Sequence, residues 1–322
     1  MSWLRQFQQN ALDYLVYVIV RCGICGLQFT SLEAAEGYSR WLARLLSDWM
    51  PVRRRVVLDN LSKAFPELTP KEQRKLTRRM WRHLILMIFE IAHAHRKIRN
   101  VTWRKYVHLV NEREMVARLL EDRPTVIVSG HFGNFEVAGL LLGLMGFASF
   151  TIARPLDNPF LHRFFLKLRG RFGQFILPKE GVAPFVEHVL KNNGVLTVLG
   201  DQHGGPKGCW VDFFGQPASC HKALAVFSLT GDAPMMVSFN RRRSRALQFE
   251  LGLQASADPR SLTEAQQSVK GLTQWYNQQL ESIIRRDPDQ YWWLHRRFRG
   301  EPPIRAKAKQ QGSAAPQSES VS

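Results

Sequence analysis

Acidic residues are the scarce class in this chain: 27 Asp and Glu stand against 45 Lys and Arg, a formal charge of +18 over 322 residues. Such a balance excludes an acidic solvating protein and points to a polyanionic partner, either nucleic acid or an anionic membrane surface. Cysteine is equally sparse. Four in this length exclude a disulfide scaffold. Cys22 and Cys25 form a lone CxxC inside an apolar run, and Cys209, Cys220, His203 and His221 follow no zinc spacing. His93 and His95, two apart on an expected helix, face different directions. Several nucleotide and hydrolase signatures are missing as well. There is no G-x-S-x-G elbow and no G-x-G-x-x-G, and the run from Gly200 to Lys207 only imitates a phosphate loop. A serine hydrolase, a dinucleotide enzyme and a P-loop nucleotidase thereby lose their main support. No zinc finger or RNP-type motif accompanies the positive charge, so nucleic acid is not the expected partner.

What is present is apolar and aromatic. Hydrophobic residues make up 45%, with 20 Phe and 9 Trp, enough for a packed core. Residues 11–29 are the most apolar stretch, interrupted by Asp13 and Arg21. An Arg at the centre of a spanning helix costs about 2.5–3.5 kcal/mol on insertion scales. A cleaved signal is not expected, since no small-residue site follows the run and an Asp precedes it. Two readings stand: an anchor helix in the bilayer, or a buried helix of a soluble fold. From residue 50 to 105, fifteen Lys and Arg meet four acidic residues, and Leu76, Met80, Leu84, Met87, Ile88 and Ile91 recur at helical spacing. An ordinary amphipathic helix with a solvated basic face explains this. So does a basic surface lying on anionic headgroups, which the preceding apolar run favours.

After about residue 105 the pattern alternates. Strands are expected at 125–129, 147–153, 175–177, 194–200, 235–239 and 247–253. Helices are expected from 134 to 145, 158–168, 182–191, 222–230 and 262–284. The fold class is therefore α/β, a mostly parallel mixed sheet flanked by helices, behind an N-terminal helical membrane-associated region. Expected boundaries are 1–104 for that region, 105–299 for the α/β domain and 300–322 for a disordered tail.

The segment Val126–Gly139 carries the chemistry. A buried strand runs into Gly130 and His131, and a helix begins near Asn134 with Glu136 in its first turn. Ligands in α/β sheets sit where strand ends meet helix starts. On a continuous helix His131 and Glu136 would lie about 140° apart. Gly130 and Gly133 permit a sharp turn that folds the imidazole back towards the carboxylate. An ionised Glu136 would then fix the tautomer of His131, the general base. The plainer alternative is a histidine that ends a strand.

The run His131-Phe132-Gly133-Asn134-Phe135-Glu136 resembles the His-x4-Asp/Glu signature of the lysophospholipid acyltransferase superfamily. Within it the chain is most similar to the lipid A biosynthesis lauroyl/myristoyl acyltransferases. The likeness continues, in order, through Arg154–Pro159, Asp201-Gln202, Val211–Ala218, Lys222–Ala225 and Tyr291–Phe298, and covers about residues 1 to 300. The superfamily's Phe-Pro-Glu-Gly-Thr-Arg block has no literal copy; Asp201-Gln202 stands in its place, and the loop His203–Gly208 matches no family rule.

The resemblance implies O-acyl transfer from an acyl thioester to a hydroxyl of a lipid A-type precursor, with no metal and no bound cofactor. The donor would be an acyl group on acyl carrier protein or coenzyme A, the acceptor a glycolipid or phospholipid. The location would be the cytoplasmic face of a bacterial inner membrane. Arg154, ending a strand on the same sheet edge, suits a two-point grip on phosphate, or pairs with Asp157. Asp201 closes another buried strand and either orients Arg154, bonds the acceptor hydroxyl or caps a turn. Asn158 and Gln202 belong to the implied substrate cleft; Arg296 and Arg297 either meet a headgroup or form a solvated basic face. Phe213 and Phe214 either wall an acyl groove or belong to the core. Two rivals remain: a lysophospholipid or other glycolipid acyltransferase, and a non-catalytic membrane- or polyanion-binding protein.

Overall fold

The computed structural model describes residues 2–50 and 52–303. The helices are α1 (Ser2–Phe29), α2 (Leu32–Arg44), α3 (Arg54–Ala64), α4 (Pro70–Lys97), α5 (Glu112–Leu119), α6 (Phe135–Leu144), α7 (Pro159–Gly170), α8 (Ala183–Lys191), α9 (Ala223–Thr230) and α10 (Val269–Arg286). The strands are β1 (Val107–Val110), β2 (Thr125–Ser129), β3 (Ser149–Ala153), β4 (Gln174–Pro178), β5 (Val195–Leu199), β6 (Cys209–Phe213), β7 (Gln216–Cys220), β8 (Met235–Arg242) and β9 (Phe249–Ala257). Seven of them form one sheet in the order β1-β9-β8-β2-β5-β3-β4, parallel at every pairing except β8 with β9. The α/β expectation holds.

Strand β2 is central because its sequence, TVIVS, is β-branched and apolar on both faces. The alternation of side chains divides it. Val126 and Val128 enter the main core with α8, α9 and α10, while Ile127 faces a second cluster with Met115 of α5 and Leu142 of α6. After residue 105 four elements escaped the sequence reading: β1, α5, β6 and β7. β1 is only four residues long, and β6–β7 is a separate antiparallel hairpin. Phe213 and Phe214 of that hairpin are core residues, Phe214 meeting Phe213, Phe65 and Trp293 edge to face, and do not wall a groove. The last helix begins at Val269 rather than 262, because residues 259–266 turn twice in short 3-10 segments.

Helix α4 starts where Thr69 and Glu72 cap each other across Pro70. Its apolar stripe faces inward. Leu76, Met80, Leu84 and Met87 join Val57 and Leu61 of α3 in the same core as the sheet, and Ile91 packs against it; Ile88 alone of the six is exposed. The proposed lipid-facing stripe is thus a core-facing one, and residues 54–97 share one core with the sheet.

Helix α1 behaves differently. None of its apolar window is buried, and Ile19 and Phe29 are 61% and 90% exposed, so the buried-helix reading does not hold. The helix touches the rest of the chain along one stripe. The Asp13 carbonyl and, at 3.4 Å, its carboxylate accept from Asn158, Tyr14 and Tyr17 meet Phe160, and Arg21 lies 4.6 Å over Phe164 of α7. Both charges of the apolar run therefore face protein. The region from 304 onward, including most of the tail read as disordered, lies outside the described residues.

Candidate active site

The register of the sheet builds the site. Ser129 of β2 pairs with Leu199 of β5, so the residues that follow each strand emerge side by side. Gly130 and Asp201 meet there: a Cβ on Gly130 would already stand 3.4 Å from the Asp201 carboxyl carbon. Asp201 is wholly buried and grips His131 twice. Its Oδ2 accepts from the backbone N–H at 2.9 Å, and its Oδ1 lies 2.8 Å from the ring Nδ1. An ionised carboxylate can only accept, which places the ring proton on Nδ1 and leaves Nε2 with its lone pair outward. Gln202 confirms this arrangement from the other side, its amide donating to Nε2 at 3.2 Å.

Electrostatics follow from that contact. Burial pulls the His131 pKa down, but the charge and hydrogen bond of Asp201, with help from Glu136, outweigh it and raise the pKa above 6.5. Burial pushes the Asp201 carboxyl up, and the charge and hydrogen bonds of His131 bring it well below the usual carboxylate range.

The turn after His131 is held rigidly. Gly133 has φ +57°, and a Cβ there would collide with the Asn240 carbonyl at 1.9 Å, so only glycine fits. The His131 carbonyl accepts from Trp292, and Phe132 bridges to Tyr291, which ties the turn to the Tyr291–Trp293 segment. Asn134 caps α6 through Val137 while its amide donates to Glu90. Glu90, fully buried on α4, also pairs with Arg242 of β8 at 2.5 and 2.7 Å. Nothing in the amphipathic pattern of α4 distinguished Glu90. A lone acid among its apolar positions was the available signal.

Several expectations are corrected. Glu136 does not hold the imidazole. It faces Arg169 of α7, whose guanidinium contacts both carboxylate oxygens at 2.7 and 2.9 Å. The α6 axis carries Glu136 away from the strand end while Asp201 arrives from the neighbouring strand. Arg297 cannot reach a headgroup. It is wholly buried over Phe213, donating to the Ser219 carbonyl, Cys220 Sγ and Asn277 Oδ1. Asn158 is occupied too, capping α7 through Phe160 and Leu161 and donating to the Asp13 carbonyl. Asp201 neither orients Arg154 nor caps a turn. Arg296 is exposed, and the Arg154 side chain, 79% exposed, pairs among the described residues with Asp157 alone, at 3.4 Å.

A cavity of 690 Å³ with mainly apolar walls opens among α1, α4, α6 and α7, and neither His131 nor Asp201 lines it. Glu136 and Arg154 stand at one side, α1 contributes Val20 and Ile24, α4 Ile91, α6 Leu140, and α7 Phe165 and Leu168. His95 lines it as well; burial, then the charge of Arg171, push its pKa down to about 4 and keep it neutral. Among the described residues no group of three or more His, Cys, Asp or Glu could hold a metal ion.

Comparison with known proteins identifies the family. Residues 5–300 match the family model for bacterial lipid A biosynthesis acyltransferases. The chain is 24% identical to the lipid A biosynthesis lauroyltransferase of Escherichia coli K12, over 81% of this chain and 84% of that one. It is 22% identical to a lipid A biosynthesis acyltransferase of Haemophilus influenzae, over 73% and 72%. Among solved structures, the 1-acyl-sn-glycerophosphate acyltransferase of Thermotoga maritima aligns with 81% of this chain and 97% of its own, at 13% identity and a TM-score of 0.38. The match across nearly all of its length settles the family: this chain is a member of the bacterial lipid A biosynthesis acyltransferases.

Proposed function

We propose that the protein moves a fatty acyl group from an acyl thioester to a hydroxyl of a lipid A-type glycolipid precursor, with His131 as general base and Asp201 as the group that positions it. The observation that carries the reading is the tautomer: Asp201 holds the Nδ1 proton and leaves the Nε2 lone pair facing outward. The acceptor hydroxyl takes the place of the Gln202 amide at Nε2. His131 removes its proton as the oxygen attacks the thioester carbonyl. The tetrahedral intermediate then expels the thiolate, which receives the proton back from the imidazolium. Base catalysis of this kind contributes about 10²–10⁴-fold, and alignment of the two lipids supplies much of the rest.

The donor is already activated, so the reaction needs neither a covalent acyl-enzyme nor a cofactor. Acyl carrier protein or coenzyme A would present it. The 690 Å³ apolar cavity suits the acyl chain, since pockets of this size and lining take flexible apolar ligands. Arg154, free of a strong partner, would meet a phosphate of the acceptor. Glu136 serves by locking α6 to α7 along the cavity wall.

The unburied apolar helix α1, with its two charges turned towards α7, supports insertion into a bilayer, and the +18 charge suits an anionic surface. We place the protein at the cytoplasmic face of the inner membrane. Mass spectrometry of membrane lipids from cells with and without the protein tests the function: one glycolipid gains a single acyl group when wild type is supplied and not when His131→Ala is. Equal lipid profiles for the two proteins would sink the reading.

A further inference from the structure

A second pocket, of 340 Å³, lies between α4 and the turn after β8 and shares no lining residue with the apolar cavity. Four arginines line it, Arg79, Arg82, Arg242 and Arg243, against two carboxylates, Glu36 and Asp289. Two of the cations are answered. Arg79 pairs with Asp289 at 3.1 Å, and Arg242 is neutralised by the buried Glu90. The other two are answered weakly or, among the described residues, not at all. Arg82 comes no nearer than 3.9 Å to Glu36, and its Nε is shielded from solvent without a hydrogen-bond partner. Among the described residues the Arg243 guanidinium makes neither a hydrogen bond nor an ion pair, and Ser244 beside it adds a neutral donor. Burial, then the neighbouring charge of Arg40, lower the Arg82 pKa, and Glu36 and Asp289 offset them only in part.

We propose that this pocket is a binding site for a phosphate group, gripped between the guanidinium groups of Arg82 and Arg243. Planar guanidinium forks match tetrahedral oxyanions at two points each, and a phosphate carries enough charge and acceptor oxygens to satisfy both. The phosphate of a lipid headgroup and free phosphate share this chemistry. The setting favours the lipid: α2, which supplies Glu36, also carries Tyr38 and Trp41, 54% and 61% exposed, and such aromatics sit at headgroup level.

The pocket also backs onto the turn that carries His131. Arg242 can only donate, and its Nη1 lies 2.8 Å from Nδ1 of His83; the His83 proton is therefore on Nε2, which donates to the Gly133 carbonyl at 3.2 Å. The N–H of Gly133 donates to the carbonyl of Gln290, another lining residue. Both backbone groups of Gly133 are thus anchored in this pocket's wall.

The site does not depend on the acyl-transfer reading, and its test reads binding alone. Detergent-solubilised full-length protein is titrated calorimetrically with inorganic phosphate and with dihexanoyl phosphatidic acid, at constant ionic strength. Wild type should bind one equivalent. Arg243→Gln should weaken binding at least tenfold, and the double variant Arg82→Gln/Arg243→Gln should abolish it. Phosphatidic acid binding tenfold tighter than phosphate assigns the site to a lipid headgroup; equal affinities assign it to free phosphate. Binding unchanged in the variants, or absent from wild type with both probes, overturns the proposal. Should the double variant fail to fold, the exposed Arg243→Gln decides by itself.

Discussion

Asp201 holds His131 at two points, one carboxylate oxygen 2.8 Å from the ring Nδ1 and the other 2.9 Å from the backbone nitrogen. A carboxylate bonded to ring and main chain fixes the tautomer and also the position of the ring on its strand end. His131 thereby presents its basic nitrogen to the cleft before any substrate arrives.

The pH dependence of the reaction should follow from that contact. His131 must be neutral to act as base, and its pKa is raised above 6.5, so kcat/KM should climb with pH through a value above 6.5 and then level off. Asp201→Asn should move the apparent pKa downward while lowering turnover at least about 100-fold. The stability linkage has the opposite sense. A pKa raised in the folded state contributes stability that is complete below the unfolded value and lost as pH rises through the folded value. Wild type should lose that increment on passing upward through this window, and Asp201→Asn should not. A pH–rate profile beside thermal melts at several pH values checks both; an unmoved apparent pKa in the variant would remove Asp201 from its role.

Glu136 and Arg169 should act as one structural unit. If the pair locks α6 to α7, Glu136→Gln and Arg169→Gln should impair the enzyme to a similar degree, and the double variant should be little worse than either. A pair this accessible contributes about 0.5–1 kcal/mol, so the melts should move by a few degrees at most. A loss with Glu136→Gln far larger than with Arg169→Gln would return Glu136 to the chemistry.

Arg297 should govern stability rather than substrate binding. Its truncation takes one donor from the Ser219 carbonyl, which keeps the Gly204 N–H, and one from Asn277 Oδ1, which keeps Cys220 Sγ, and it empties buried space over Phe213. Arg297→Ala should therefore cost about 3 kcal/mol in denaturant unfolding. The exposed Arg296→Ala should leave stability unchanged. A KM effect without destabilisation in Arg297→Ala would contradict the buried geometry.

Membrane attachment should be mainly apolar. With α1 presenting Ile19, Leu15 and Phe29 outward, 1 M salt should loosen the protein but not release it, because screening acts on the basic surface alone. Cell fractions washed with salt and with detergent make the comparison. Complete release by salt would assign the attachment to charge.

How far the sequence reached can be judged residue by residue. Local patterns were sufficient for the boundaries of β2 to β5 and for the Asn134 and Asn158 caps, because periodicity and capping are properties of neighbouring residues. The same patterns marked His131 at a strand end, and the ordered motifs from residue 131 to 298 carried the family resemblance. Partnership across the fold was another matter. Asp201 is seventy positions from His131, and only the pairing of β2 with β5 brings them together. Glu136, five positions away, was the nearer candidate, yet the α6 axis carries it to Arg169. Likewise α4 showed an apolar stripe that could face lipid or protein, and packing against α3 and the sheet decided for protein. Sequence determined which elements form and which residue types stand at their ends. The tertiary structure decided who meets whom, since the direction of a side chain is local while its partner is set by strand register and helix packing across the core.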